Sequence, residues 1–352
     1  MPGEDMREIA IWIADERFIY DMLDGFPSIL VLLLIVLCIV VVSKGADWLV
    51  EGAVRLAGAT GLSRIFIGAT VVSLGTTTPE AVVSVMAAWM GNPGLALGNG
   101  VGSIIADTGL IFGLSCILAS MPVNRYILNR TGWVQVGSAT LLVIIALIAA
   151  AGTGPPVIGR SVGLLFLCIL TGYLYMTYVW AKRGAPTDEG TAECSAAGGL
   201  AWSWSRIVAG LVMVVAGARI LVPCVSCMAH RVGVPDDVIA ATLVAFGTSL
   251  PELITAVAAI RKGHPEITIG NIVGADVLNC LFVIGAAAAA RPLAIPENFY
   301  TFHFPAMLLI LYSFRIFIGM NRQGRFRKWQ GGWLLGVYFV YILLQYLFNI
   351  EA

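Results

Sequence analysis

Two short stretches, 75-GTTTPE-80 and 247-GTSLPE-252, decide how this chain is read. Each sets a glutamate directly after a proline and behind a row of hydroxyls, inside chain apolar enough to sit in a bilayer. They belong to a longer self-match: 67-IGATVVSLGTTTPEAVVSVMAAWMGNPGLALGNGVGSIIADTGLIFGL-114 aligns without a gap to 239-IAATLVAFGTSLPELITAVAAIRKGHPEITIGNIVGADVLNCLFVIGA-286, from Glu80 to Glu252 an offset of 172 residues. Gly75/Gly247, Thr76/Thr248, Pro79/Pro251, Glu80/Glu252, Asn99/Asn271 and Gly102/Gly274 all fall in register, and Gly45/Gly217 and Gly61/Gly233 extend it backwards. Apolar similarity by itself does not hold Gly, Pro, Asn and Glu in one frame.

The composition around these stretches is that of a membrane protein. Of 352 residues, 59% are hydrophobic and 12% charged. Soluble domains carry about twice that charged fraction. Apolar runs recur along the chain, and a helix needs roughly 20 mainly apolar residues to cross the hydrocarbon. Only helices and closed barrels keep their backbone paired there, and these runs are too long for barrel strands. The expected fold class is therefore an all-α polytopic membrane protein. Ten spans are expected at about 28–45, 62–90, 93–119, 131–151, 157–181, 205–229, 236–261, 265–290, 300–319 and 331–349. The offset covers five of them. An odd number turns the second copy over, so the reading is two inverted five-helix repeats, an architecture of secondary transporters with the site at the midplane.

Four segments follow: an acidic N-terminal interfacial segment (1–27), a first repeat (28–181), a polar cytoplasmic linker (182–204) and a second repeat (205–352). The start is acidic where a signal peptide requires a basic one. With the N-terminus outside, fifteen of the 21 Lys and Arg residues fall on inside loops, which the positive-inside rule favours. A net charge of zero gives no nucleic-acid footprint. The expected partners are the lipid bilayer of the cell (inner or plasma) membrane and inorganic cations, with one chain sufficing and no cofactor. Cys224 and Cys227 form a lone C-x-x-C without a second ligand pair. His230, His264 and His303 fall at span ends or in loops, as interfacial residues do.

Pro79 and Pro251 each remove a backbone donor and clash with the turn before them. A break is expected at each, leaving carbonyls that hydrocarbon tolerates only when they are buried in protein or line a cavity. Thr76 and Thr77 lie four and three residues before Glu80, on its helix face; Thr248 and Ser249 repeat the set before Glu252. A buried carboxylate is costly and two repel, and a hard cation relieves both problems. Calcium takes six to eight oxygens, and sodium accepts the same oxygens with less charge. Further oxygens come from Ser103 and Asp107 in 102-GSIIAD-107, and from Asp276 and Asn279 in 274-GADVLN-279. The bland alternatives are that the glutamates are internally paired and fix register, and that the glycines at 94, 98, 102, 270 and 274 serve close helix packing.

In these motifs, G-[ST]-[ST]-x-P-E and G-N-x-x-G-[SA]-x-x-x-[DN] in both halves, the sequence resembles the sodium/calcium exchanger branch of the cation/calcium antiporter superfamily. The resemblance covers both cores and the glycine-rich helix before each, including 44-KGADWLVEGAVRLAG-58. It implies ten helices, the first and sixth sliding against a more fixed bundle, and alternating access in which sodium and calcium compete for overlapping sites. Carried over by position, calcium would use Glu80 and Glu252 with Thr76 and Thr248. One flanking sodium site would use Thr248, Ser249, Glu252, Ser103 and the carbonyl of Ala245. The opposite one would use Thr76, Thr77, Glu80 and the carbonyl of Ser73, and a central polar position would involve Asp107 and Asn279. Ala275 stands where family members often have serine, Asp276 where asparagine is common, and Asp107 and Asn279 are reversed relative to some relatives. These departures bear on sodium stoichiometry and on the coupling ion. The expected function is a non-enzymatic antiporter that expels calcium in exchange for sodium. Proton or potassium coupling, a passive channel and an intramembrane aspartyl protease are the alternatives, the last lacking any G-x-G-D stretch.

Overall fold

A computed structural model describes residues 22–23, 25–183, 199–232, 249–321 and 324–348. Nine helices among them are long and apolar enough to cross a membrane: α1 (Ser28–Thr60), α2 (Arg64–Met90), α3 (Pro93–Leu118), α4 (Arg125–Ala151), α5 (Arg160–Arg183), α6 (Leu200–Arg231), α8 (Pro265–Ala290), α9 (Phe299–Met320) and α10 (Lys328–Leu347). Helix α7 (Leu250–Arg261) is the described part of the remaining expected span. Most of the acidic N-terminal segment and most of the 182–204 linker lie outside the described residues.

The fourth span begins at Arg125 rather than 131, behind the N-cap Asn124. The first runs to Thr60 rather than 45, and the sixth begins at Leu200 rather than 205. The cause is the small-residue stretch that apolarity alone discounts. Helices α1 and α6 make the most extensive helix pair among the described residues. A Cβ on Gly45 would meet Met213 and the Gly210 carbonyl, one on Gly52 would meet the Ser203 carbonyl and Ile207, and one on Gly217 would meet Val42. Lipid-like interiors offer helices no hydrophobic drive to associate, so close backbone approach supplies the contact. The outer face of α1 remains apolar and exposed at Ile29, Leu33, Val36, Leu37 and Val40.

Where α1 and α6 meet the end of α7, charge takes over. Lys262 Nζ lies 2.9 Å from Glu51 Oε1 and 3.7 Å from Asp47 Oδ1, and Arg206 lies 3.5 Å from Glu51 Oε2. The Arg206 guanidinium also covers the rings of Trp48 and Trp202. These side chains are partly exposed, so each ion pair contributes no more than about 1 kcal/mol.

The repeat is visible in three dimensions. Helices α3 and α8 start and stop at matched positions (Pro93 and Pro265, Leu118 and Ala290), and each carries a π-helical turn, Ala106–Phe112 and Asn279–Val283. After α3 the chain pairs with the segment before α10: Val123 N–H donates to the Gly324 carbonyl at 2.7 Å. The corresponding segment after α8 forms strand β2 (Leu293–Ala294), antiparallel to β1 (Val157–Ile158) before α5, and Ile295 N–H donates to the Pro156 carbonyl at 3.0 Å. Gly113 packs on Gly331 and Leu335, and its counterpart Gly285 packs on Gly163 and Phe166. Each third helix of a repeat is thus locked to the last helix of the other.

Helices α3 and α8 are the most enclosed of the nine, α1, α5 and α10 the least. Helix α8 reaches α2 through glycine. A Cβ on Gly270 would collide with the Ile65 carbonyl, one on Gly274 with the Ala69 carbonyl, and one on Gly68 with the Ile267 carbonyl. Close packing was the bland reading of the glycines, and Gly270 and Gly274 fit it. Cys224 and Cys227 are both free thiols. His303 departs from expectation: it is 2% exposed, its Nδ1 2.9 Å from the Tyr341 hydroxyl, because the π-helical start of α9 (Phe299–His303) turns it against α10.

Gly270→Val drives two methyls into the Ile65 carbonyl, and overpacking of this kind costs about 1–3 kcal/mol or more. The variant is expected to lose several degrees of thermal stability in detergent, followed by size-exclusion after heating. Gly172→Ala, on an exposed face with no described atom within 4 Å of the added carbon, is expected to leave it unchanged.

Candidate cation site between the repeats

Glu80 lies on α2, where the chain takes two unusual turns. The residues Gly68–Val72 are π-helical, and an α-helix then runs from Ser73 to Met90 with Pro79 inside it. The expected break at Pro79 is absent. The proline still cannot donate to the carbonyl of Gly75, but the distortion is taken up one turn earlier, in the small-residue stretch that packs on α8. Wide turns of this type gather at functional sites. Thr76, Thr77 and Glu80 share one buried face with Ser73 and Ser84, while Thr78 points outward and bonds the Leu74 carbonyl. In the second repeat Pro251 stands in the first turn of α7, behind Ser249 at its N-cap position, so a helix does begin there. Glu252 and Thr255 are buried on its inner face.

Helices α3 and α8 bring amides against these faces. Asn99 Nδ2 donates to the Glu80 backbone carbonyl at 3.1 Å and to Ser84 Oγ at 2.9 Å. Its counterpart Asn271 accepts from the Thr76 hydroxyl at 3.4 Å, tying the second repeat to the first. The Thr76 hydroxyl also faces the carboxyl of Glu252. The carboxylates of Glu80 and Glu252 lie within electrostatic reach of each other, and Asp107 within reach of both. Ser249 lies beside Asp107 without a hydrogen bond. Asn279 Nδ2 approaches Asp107 Oδ2 at 3.4 Å. Asp276 Oδ2 accepts from the hydroxyl of Thr108 and from Nε2 of Gln135.

The acceptors left over define the chemistry. Both carboxylate oxygens of Glu80, Glu252 Oε2, Thr77 Oγ1, Ser249 Oγ and Ser103 Oγ are enclosed and have no hydrogen-bond partner. Glu80 and Glu252 are each 1% exposed. A buried charge without partner or hydrogen bond is too costly to persist unless something else compensates it. Hard oxygen donors of this kind suit sodium and calcium rather than a metal held by imidazole or thiolate. Among the described residues no three His, Cys, Asp or Glu side chains gather closely enough to hold a metal ion. A cation here would therefore be shared by no more than two carboxylates, with hydroxyl, amide and carbonyl oxygens completing its shell.

Of the residues singled out in the sequence, Ser73, Thr76, Thr77, Glu80, Ser103, Asp107, Ser249, Glu252, Asp276 and Asn279 are all buried in this layer. Thr248 and Ala245 lie outside the described residues. Sequence reasoning passed over Ser84, Thr108, Gln135 and Thr255 and gave Asn99 and Asn271 no role. The repeated Gly-Asn pair was a signal for the asparagines. Gln135 carried one as well, being an amide near the start of an otherwise apolar span.

Fold and site together describe a polytopic membrane protein whose two halves enclose an acidic, oxygen-lined layer. The model of the family described as sodium/calcium exchanger protein matches residues 30–179 and 202–347. The chain is 29% identical over 342 residues to the sodium/calcium exchanger MaX1 of Methanosarcina acetivorans, covering 89% of this chain and 97% of that one. It is 29% identical over 319 residues to the inner membrane protein YrbG of Escherichia coli, covering 89% and 96%. Among solved structures, the sodium-calcium exchanger NCX_Mj superposes with a TM-score of 0.75 at 27% identity, covering 90% of this chain and 99% of that one. This chain belongs to the sodium/calcium exchanger family.

Asn99→Ala would strip a donor from the Glu80 carbonyl and the Ser84 hydroxyl, and an unsatisfied buried acceptor costs about 1–3 kcal/mol. Thermal unfolding in detergent is expected to show that loss, whereas Thr78→Ala on the outward face should change little.

Proposed function

We propose that this protein is a secondary antiporter that exchanges calcium for sodium across the cell membrane by alternating access, with its N-terminus outside and one chain as the working unit. The observation that carries the reading is the pair Glu80 and Glu252, one from each repeat, enclosed and mutually close while three of their four carboxylate oxygens have no partner in the protein. Calcium would bridge the pair with help from Thr76 and Thr248. Sodium would use the flanking oxygens, on one side Thr77, Glu80 and the carbonyl of Ser73, on the other Ser249, Glu252, Ser103 and the carbonyl of Ala245. Asp107 and Asn279 would form the central polar position between them.

Exchange rather than leak follows from shared carboxylates. An empty pair places two like charges in a medium of low dielectric, which opposes passage through the occluded state. Either calcium or sodium removes that penalty, and the two cannot do so together when they compete for the same oxygens. The long α1–α6 pair, joined through glycines and only weakly tied to α7 by exposed ion pairs, is built to move as one piece past the enclosed helices. The sodium/calcium exchangers among the similar proteins support this assignment of ions.

The experiment is calcium uptake into proteoliposomes with sodium, potassium and proton gradients imposed separately. Sodium-driven uptake is expected. Glu80→Gln and Glu252→Gln are expected to abolish it, by a hundredfold or more, while each variant elutes as a folded monodisperse protein. Sodium-driven flux surviving in either variant would overturn the assignment of the pair. Uptake driven by protons or potassium alone would replace sodium as the coupling ion.

A further inference from the structure

The repeat makes most of the buried layer symmetric, and Asp276 breaks the symmetry. Its counterpart in the first repeat is Ile104, so no acid of the other half answers to it. Gln135, which holds it, comes from α4, a helix that contributes nothing to the surroundings of Glu80 and Glu252 described above. Thr108, the other donor, has Cys280 as its counterpart. Three helices thus build one polar knot: α3 within its π-helical turn, the middle of α4, and α8 just before and at the start of its own π-helical turn.

The bonding in the knot is one-sided. Asp276 Oδ2 takes both donors, the Thr108 hydroxyl and the Gln135 amide nitrogen, which are themselves 3.4 Å apart. Asp107 Oδ2 takes the Asn279 amide nitrogen. Asp276 Oδ1, Gln135 Oε1, Asp107 Oδ1 and Asn279 Oδ1 then have no partner, although none of the four residues is more than 1% exposed. All four atoms are acceptors. A network that served only to fix helix register would use both ends of each amide, since an unsatisfied buried acceptor carries its full desolvation cost. Acceptors cannot satisfy one another, and the donors beside Asp276, the Thr108 hydroxyl and the Gln135 amide, are already engaged on Oδ2 and on each other. A bound cation satisfies them.

We propose that Asp276, with Gln135 and Thr108, forms a monovalent-cation position on the α3–α4–α8 side of the layer, additional to the oxygens around Glu80 and Glu252. The charge argues for a monovalent ion. One oxygen of Asp276 is already engaged by two donors, and the surrounding ligands are neutral amides and a hydroxyl; calcium needs more oxygens and more charge than this. Sodium is the ion expected to occupy it, because every donor is a hard oxygen. Thr108 and Gln135 act as positioning residues for Asp276, and Gln135 also offers its carbonyl oxygen. This rests on the antiporter reading and adds to it: the number of sodium ions exchanged per calcium would be set in part by a residue outside the symmetric pair.

The test counts sodium in two ways. Equilibrium binding of radiolabelled sodium to the purified full-length protein gives ions bound per chain. The reversal potential of sodium-driven calcium flux in proteoliposomes gives the coupling ratio, which does not depend on how much protein is active. Asp276→Asn is expected to bind one sodium fewer and to shift the reversal potential to a ratio lower by one. Gln135→Leu, which keeps the carboxylate and its Thr108 bond, is expected to weaken sodium binding at least tenfold at one site with calcium binding unchanged. Parallel binding with potassium and lithium distinguishes a sodium position from a general monovalent one. If both variants bind and exchange sodium in the wild-type number, the knot is structural and the proposal fails. Should Asp276→Asn not fold, Gln135→Leu decides alone by the same criterion. Absence of sodium-driven flux in the wild type would instead overturn the antiporter reading, so the two failures are distinguishable.

Discussion

Two carboxylates in a low-dielectric interior, three of their four oxygens without a hydrogen-bond partner, are the constraint that organises this molecule. Glu80 and Glu252 are enclosed on all sides, and neither carboxylate oxygen of Glu80 nor Oε2 of Glu252 has a hydrogen-bond partner. A folded protein does not sustain such groups for stability, since replacing an unpaired buried charge by an apolar residue would relieve it. The remaining features make sense as means of keeping those oxygens close together, dry and available. Hydroxyls and amides from four helices surround them, and Asn99 pins the backbone of Glu80 without touching its carboxylate. The backbone is thereby held in place while both carboxylate oxygens keep no hydrogen-bond partner.

That requirement dictates close packing. Helix α8 can present Asn271, Asp276 and Asn279 to the layer only if its backbone lies almost against that of α2, and Gly270 and Gly274 allow the approach. The π-helical turns in α3 and α8 serve the same end. Asp107 stands inside the wide turn of α3 and Asn279 opens that of α8, each one turn after Ser103 and Asp276 respectively, and all four are buried. In the outer pair α1 and α6 the same small residues serve a different purpose. Those helices contact each other far more than they contact the enclosed core, and their ties to α7 are exposed ion pairs that water can replace at little cost.

Symmetry accounts for the scaffold and its violation accounts for the particulars. The two backbone pairings, Val123 with Gly324 and Ile295 with Pro156, are the same contact made twice. The two cores are not the same chemically. Asp107 faces Asn279 where an exact repeat would have like against like, and Asp276 faces Gln135 and Thr108 with no echo in the other half. Substitutions confined to one half give the two sides of the layer different charge.

The sequence by itself determined the class of fold, the repeat and the acidic pair. Apolar length is a local property, a gapless self-match survives in any frame, and Glu80 behind Pro79 in a bilayer span is anomalous on its own terms. Boundaries were less legible: α1 continues to Thr60 because Gly45 and Gly52 pack on α6, a gain in contact that no hydropathy window registers. Only the tertiary structure decided that the helix passes through Pro79 unbroken, that His303 is buried against Tyr341, and that Gln135 reaches Asp276. These depend on which helix lies beside which, across 38 residues for His303 and Tyr341 and 141 for Gln135 and Asp276, and no spacing within one segment encodes a neighbour that distant.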